Sequence, residues 1–164
     1  MEIRDEGPGD HPAIRRITLA AFKDAPFSDQ REAEIVDALR SAGALAVSLV
    51  AIEDGDIIGH IAFSPVAVGS GESGWYGLGP VSVRPDQQER GIGQALVRAG
   101  LDRLAVLEAA GCIVLGAPAY YGRFGFESDP ALCFEGKPSP YLQRLVLNGA
   151  RPRGEVRYHA GFAS

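Results

Sequence analysis

Leu78-Gly79-Pro80-Val81-Ser82-Val83-Arg84-Pro85-Asp86-Gln87-Gln88-Glu89-Arg90-Gly91-Ile92-Gly93-Gln94-Ala95-Leu96 is the stretch on which the reading of this chain turns. It joins a strand, a turn at Pro85 and a helix that opens on two glycines. The first amides of a helix have no partner inside it and carry the positive end of the helix dipole. Gly91 and Gly93 have no side chain to hold an anion off those amides, so a phosphate or pyrophosphate is the natural ligand of the turn. Arg84 and Arg90 can add charge beside it. The strand before the turn is unusual for a core strand. Gly77, Gly79 and Pro80 remove side chains and one backbone donor. Such a strand is expected to pair imperfectly with one neighbour, leaving N–H and C=O groups for an extended ligand laid along it.

Downstream, Gly91–Leu107 predicts the longest helix, with Val97, Leu101, Leu104 and Ala105 on one face and Gly111 closing it. Cys112–Leu115 predicts a short buried strand. Pro118–Arg123 predicts a short helix, and Phe124-Gly125-Phe126 the start of another strand. Tyr141–Leu147 and Glu155–Phe162 are further strand candidates. Upstream, Ala46 opens a strand that turns through Glu53-Asp54-Gly55-Asp56 into a returning strand, Ile57–Val68, bent at Pro65. Gly69–Gly74 reads as a loop and Trp75–Val83 as a third sheet segment. Residues 1–5 predict a first strand. Asp10 caps a helix that carries Pro12, Ile14, Ile17 and Leu19 to about Lys23. Ser28 caps a second helix with Ile35, Val36 and Leu39 as its apolar stripe, ended by Gly43. Helices, antiparallel hairpin strands and then a β-α-β unit make a mixed α+β layer fold.

Composition bounds the function. The 164 residues are expected to form one domain, 1–164. The net charge is −5, and the 16 basic residues form no block, which argues against a nucleic-acid partner and tilts slightly toward a cationic one. The longest apolar run, Ala44–Ile52, is broken by Ser48 and falls well short of the ~20 residues of a membrane helix. The acidic start, Met1 to Glu6, is no signal peptide. Cys112 and Cys133 are isolated, and with three histidines they show no metal-ligand spacing. A reduced, cytoplasmic protein without a metal is the expectation.

An anion site at a helix start, beside a strand with free main-chain groups, suits coenzyme A. The pyrophosphate takes the helix amides and the amide-bearing pantetheine arm pairs with the strand. Gln88-Glu89-Arg90-Gly91-Ile92-Gly93 matches the Q/R-x-x-G-x-G/A signature of the GNAT N-acetyltransferase superfamily. The preceding Gly-Pro-Val-Ser-Val-x-Pro and the later Ala119-Tyr120-Tyr121-Gly122-Arg123-Phe124-Gly125-Phe126 also resemble it, especially its small bacterial members. A P-loop would need a lysine near Gly91, and a dinucleotide fingerprint would need glycine where Leu96 stands. The resemblance implies a central, mostly antiparallel sheet, splayed at the acetyl-CoA site, with helices on both faces. It implies acetyl-CoA held by main-chain groups of Val81, Ser82 and Val83 and by the amides of Gln88, Glu89, Arg90, Gly91, Ile92, Gly93 and Gln94. It places Tyr121 of Y-x-x-x-G-F near the coenzyme sulfur. Many members carry an asparagine several residues before that tyrosine, where this chain has Leu115-Gly116-Ala117-Pro118.

The family's reaction is direct attack of an amine on the thioester. A backbone N–H near Val83 is the candidate donor to the thioester oxygen, and Tyr121 the candidate acid for the leaving thiolate. The base is open among His60, Glu53, Glu72 and water, with His60 read first as a structural histidine. The bland reading of Tyr121 is a packing aromatic among Tyr120, Phe124 and Phe126. Acceptor choice is assigned to Ala25–Arg31 and the Gly69–Gly74 loop. The acceptor is open among a small-molecule amine, an amino acid, an antibiotic and a protein N-terminus or lysine, with the acidic balance tilting toward a cationic small molecule, and a homodimer paired through the strands of residues 141–162 stays open. The competing reading is a non-catalytic acyl-CoA-binding or sensing module of the same fold.

Overall fold

The computed structural model describes residues 1–69 and 71–163; Ser70, within the predicted Gly69–Gly74 loop, lies outside the described residues. An open mixed sheet runs through the centre. Its strands are β1 (Glu2–Asp5), β2 (Val47–Glu53), β3 (Asp56–Val68), β4 (Trp75–Val83), β5 (Gly111–Leu115), β6 (Glu127–Ser128), β7 (Leu132–Cys133), β8 (Leu142–Val146) and β9 (Gly154–Tyr158). The order is β1-β2-β3-β4-β5-β8-β6, with β9 paired to β3 and β7 paired to β9. The β2–β3 hairpin turns where expected, with Asp54 and Gly55 both at positive φ. Pro65 marks a change of neighbour: β2 leaves β3 at Phe63, and β9 takes its place from Val66 to Val68.

Helices cover both faces. The helix α1 (His11–Phe22) and α2 (Glu32–Ser41) lie on one, where Ile14 and Val36 meet Val50. On the other lies α3 (Ile92–Val106), whose Leu96, Val97 and Leu104 pack on Leu49, Ile61 and Phe63. The buried stripe of α3 also takes in Ile92 and Gly100, whereas Ala105, expected inside, is exposed. A β-carbon at Gly100 would collide with the Phe63 ring, so that glycine sets how closely α3 approaches the sheet. The short α4 (Pro118–Tyr121) continues into a 3-10 turn, Gly122–Phe124.

Five boundaries differ from expectation. Ser28 does not cap α2: its hydroxyl donates to the Glu32 carboxylate at 2.6 Å, and the helix begins only at Glu32. Gly111 does not close α3 but opens β5. The helix ends at Leu107, and Glu108 takes the left-handed position (φ 59°) that glycine would favour. Phe124-Gly125-Phe126 is a turn rather than a strand start, because Gly125 is left-handed and β6 waits until Glu127. The last predicted strand stops at Tyr158, and Phe162 packs against Leu39 of α2 from a 3-10 turn. Finally, the strands of residues 141–162 are no bare edge, since β8 lies between β5 and β6, and β9 between β3 and β7.

Candidate active site

The irregularity read from Gly79 and Pro80 splits β4 into two halves. Leu78 pairs with Phe63 and Val81 with Ile61, so Gly79 and Pro80 bulge out opposite Ala62. On its other side β4 pairs with β5 only from Trp75 to Gly77, in parallel with Gly111 to Ile113. Beyond Gly77 the two strands separate. The N–H of Arg84 donates to Ile58 O at 2.8 Å. Main-chain groups alternate sides along an antiparallel ladder. Ser82 therefore addresses β3, while Val81 and Val83 turn their N–H and C=O into the gap. The Val83 carbonyl meets the Gln88 side-chain amide there, at 3.1 Å.

The amino end of α3 borders the same gap. Gly91 sits at φ 82°, a region that disfavours any side chain but glycine's hydrogen. The first helical hydrogen bond runs from Ala95 N to Gly91 O, so the N–H groups of Ile92, Gly93 and Gln94 precede the ladder. Nothing lies within 4 Å of the place a β-carbon would take at Gly91, and at Gly93 it would meet the Tyr120 hydroxyl at 3.3 Å. A cavity of about 330 Å³ lies here, lined by Val83, Gln88 and Gly91 to Gln94, with Tyr120. A second, of about 300 Å³, shares Val83, Gln88, Gly93 and Tyr120 and extends to Val81, Tyr121, Phe22 and Ala25. The two are one groove.

Tyr121 closes its inner end. The ring is edge-on to Tyr120 at 5.0 Å and to Phe126 at 5.9 Å, and it lies over Gly116 so closely that a β-carbon there would collide with it. Burial, reinforced by Tyr120 and Cys112, pushes its hydroxyl up to about 12. Tyr121 is thus packed against aromatics on one side and lines the groove on the other. Past Gly116 is a third cavity, about 420 Å³, lined by Phe27, Leu115, Gly116, Ala117 and Tyr141. A further cleft, of about 500 Å³, lies between α1 and the β2–β3 turn, with Arg4, Asp10, Arg16 and Arg84 in its walls. It holds none of the residues predicted to bind the coenzyme.

Residues 12–126 match the Acetyltransferase (GNAT) family. The chain belongs to that family. It is 37% identical to the uncharacterized N-acetyltransferase YhbS of Escherichia coli K12, over 99% of this chain and 98% of that one. A GNAT family acetyltransferase from Brucella melitensis, solved in complex with acetyl-CoA, is 51% identical, with a TM-score of 0.87 over 98% of this chain and 97% of its own. The E. coli YhbS structure, solved in complex with CoA, also has a TM-score of 0.87, over 99% of this chain and 92% of its own, at 35% identity.

This GNAT chain brings together most of what the sequence singled out, and turns some of it away. Ser82 does not open on the groove; it is buried, and its hydroxyl donates to Thr18 Oγ1 at 3.3 Å. Arg90 flanks the α3 turn but is engaged by Glu53 at 3.1 Å and by Gln87. Arg84 is paired with Asp86 at 2.7 Å. That Glu53 contact also accounts for one base candidate. Glu72 stands before the start of β4, at the closed end of the splay, and Gly69 there packs on Arg153 and Gly154. The Gly69–Gly74 loop is therefore not next to Tyr121, whereas Ala25 is.

His60 lies on the α1/α2 face, fully buried, and burial lowers its pKa. Its Nε2 is 2.8 Å from Ser48 Oγ and 3.8 Å from Glu6 Oε1, and Ser48 itself donates to Glu6. The single Ser48 proton is thus spent on Glu6, which assigns the His60 proton to Nε2. Its Nδ1 has no hydrogen-bond partner among the described residues. Glu6 accepts further bonds from Arg40 at 2.9 and 3.0 Å and lies 3.1 Å from His11. This is a structural knot. Sequence reading missed the groove wall made by Ala21 and Phe22 and the place of Tyr120 in both halves of the groove. No local signal marks either, because both depend on where α1 ends over β4.

Proposed function

We propose that residues 1–164 act as one domain that transfers the acetyl group of acetyl-CoA to a primary amine by direct attack. The observation that carries this reading is the open Val81–Val83 edge lying in one groove with the α3 amides and Tyr121. The solved relatives that hold acetyl-CoA and CoA support it. The pyrophosphate takes the amides of Gly91 to Gln94. The pantetheine amides pair with Val81 and Val83, replacing the Gln88 side chain at the Val83 carbonyl. Gln88, Glu89 and Arg90 form the rim of that cradle.

The amine nitrogen attacks the thioester carbon, the new C–N bond forms and the C–S bond breaks. A backbone N–H of the Val83 edge steadies the oxygen as it gains charge. Tyr121, with its raised pKa, keeps its proton at neutral pH and donates a hydrogen bond, then the proton, to the departing sulfur; solvent restores it. The amine gives its proton to water. With His60 buried, Glu53 paired with Arg90 and Glu72 at the closed end of the splay, the scheme uses no side-chain base. One observation favours the competing reading of a binding module without turnover: among the described residues no Asp, Glu or His lines the Tyr121 end of the groove.

Titration calorimetry with acetyl-CoA, followed by thiol release across a panel of amines, tests the proposal. Binding with amine-dependent release is expected. Tyr121→Phe should lower kcat by about 10²–10⁴-fold and leave acetyl-CoA affinity nearly unchanged. Absence of binding heat overturns the coenzyme assignment, and binding without release moves the chain to the module reading.

A further inference from the structure

We infer that the acceptor is a small primary amine bearing an apolar, preferably aromatic, group, seated in the cleft of Phe27, Leu115 and Tyr141. The inference rests on the transferase reading above. Phe27 is 101% exposed, Tyr141 58% and Leu115 40%, an unusual concentration of uncovered apolar surface around one cavity. No charged side chain is among its lining residues.

The cleft is built rather than incidental. The Gly116 N–H donates to Tyr141 O at 3.0 Å. Gln143, buried to 1% exposure, donates from Nε2 to Gly116 O at 3.0 Å and to Tyr141 O at 3.3 Å. The floor and one wall are thereby fixed to each other. It also adjoins the groove, with Tyr121 between the two. Tyr121 lies over Gly116 from the groove side, and the link between α1 and α2 contributes Ala25 to the groove and Phe27 to the cleft. A molecule in the cleft therefore has the Tyr121 end of the groove as its neighbour. About 420 Å³ suits a small ligand, not a folded partner.

The chemistry of the walls decides the class. A diamine or aminosugar would leave a second charge in a cleft with no carboxylate to meet it. An arylalkyl or alkyl amine buries its apolar part against Phe27 and Tyr141. The overall negative charge of the chain points toward cationic ligands, yet that charge is not located at this cleft. The bonds made and broken are those of the transfer itself, with the proton lost by nitrogen balanced by the one gained by sulfur.

The experiment compares 2-phenylethylamine and hexylamine with ethanolamine, putrescine and an apolar N-terminal peptide by thiol release, with acetyl-CoA binding heat as the control. The two apolar amines should exceed ethanolamine in kcat/KM by about tenfold or more. Phe27→Ala and, separately, Tyr141→Ala should raise KM for 2-phenylethylamine by about tenfold while the acetyl-CoA heat persists. If ethanolamine or putrescine equals the apolar amines, if only the peptide is acetylated, or if neither variant changes KM, the inference is overturned while the transferase reading stands. Binding without release from any amine overturns the inference and moves the chain to the module reading. If acetyl-CoA gives no binding heat, both readings fall.

Discussion

The two sides of Tyr121 are built from different materials. Toward α3 the walls are largely main chain: the unpaired edge of Val81 and Val83, and the amides that open the helix. Toward Leu115 they are side chains gathered from three distant segments, around Phe27, Leu115 and Tyr141. Main chain is the same in every sequence, so a site made of it is specified by what is missing, here the side chains of Gly79, Gly91 and Gly93 and the donor of Pro80. A site made of side chains is specified by what is present, and each member can be exchanged separately. Under the proposed function, the first side would take the coenzyme and the second the acceptor.

Gly93→Asp is the largest expected break in that comparison. It sets a carboxylate beside amides placed to receive a phosphate and beside the Tyr120 hydroxyl. Like charge should raise the acetyl-CoA dissociation constant by about 100-fold, read by calorimetry. Gly93→Ala keeps the amides and should cost less than a tenth of that. Equal losses in the two variants would show that space, not charge, governs this side.

Gly116→Ala acts at the joint between the two sides. Its β-carbon would enter the Tyr121 ring, so the ring must move. A displaced catalytic group can lose up to about 100-fold in rate, and kcat should fall by about 10- to 100-fold with acetyl-CoA affinity held. Adding Tyr121→Phe to it should produce little further loss, since both changes remove one contribution. Additive losses would separate Gly116 from Tyr121.

The same difference explains what sequence could reveal. The Asp54-Gly55 hairpin, the bulge at Gly79-Pro80 and the helix start at Gly91 are local: each follows from φ preferences of residues adjacent in the chain. So the splay and the helix start beside it were legible. Ser82 was misread because a run of three strand residues does not disclose which of them faces the neighbour. Ladder alternation settles that once Arg84 is seen to bond Ile58. Ser28 failed as a cap because its hydroxyl had a closer partner in Glu32. Of the Phe27 cleft only the Ala25–Arg31 segment was singled out, since nothing in the spacing of Phe27, Leu115 and Tyr141 brings them together. Only the path of the α1–α2 link and the pairing of β5 with β8 does so.

Gln143→Leu sharpens the comparison with a smaller effect. It removes the donor to both Gly116 O and Tyr141 O while keeping the volume. Gly116 O loses its donor while Tyr141 O keeps the Gly116 N–H, which should cost about 1 kcal/mol of stability, measurable by urea unfolding. The acceptor KM should rise several-fold as the two walls loosen, and coenzyme affinity should not change. A coenzyme effect equal to the acceptor effect would mean that the two sides are not separable.

Glu6→Gln should have the least effect on turnover, and it tests whether the His60 knot stands apart from both sides. Burial pushes the Glu6 carboxyl up, but the donors facing it, His60, Arg40 and Ser48, together with the Arg40 charge, outweigh that and hold it well below the ordinary carboxylate range. A carboxyl lowered on folding contributes stability that is present above its unfolded pKa and lost as pH falls below it. The wild type should therefore be more stable than Glu6→Gln at pH 7. That advantage should fade from about pH 4.5 downward, in urea unfolding series taken at pH 7, 5, 4 and 3. At pH 7 kcat should stay within about twofold, because the knot touches neither cavity beside Tyr121. A tenfold fall in kcat with folding intact would connect the knot, and His60 with it, to the amine's proton, and would return to His60 the role of base.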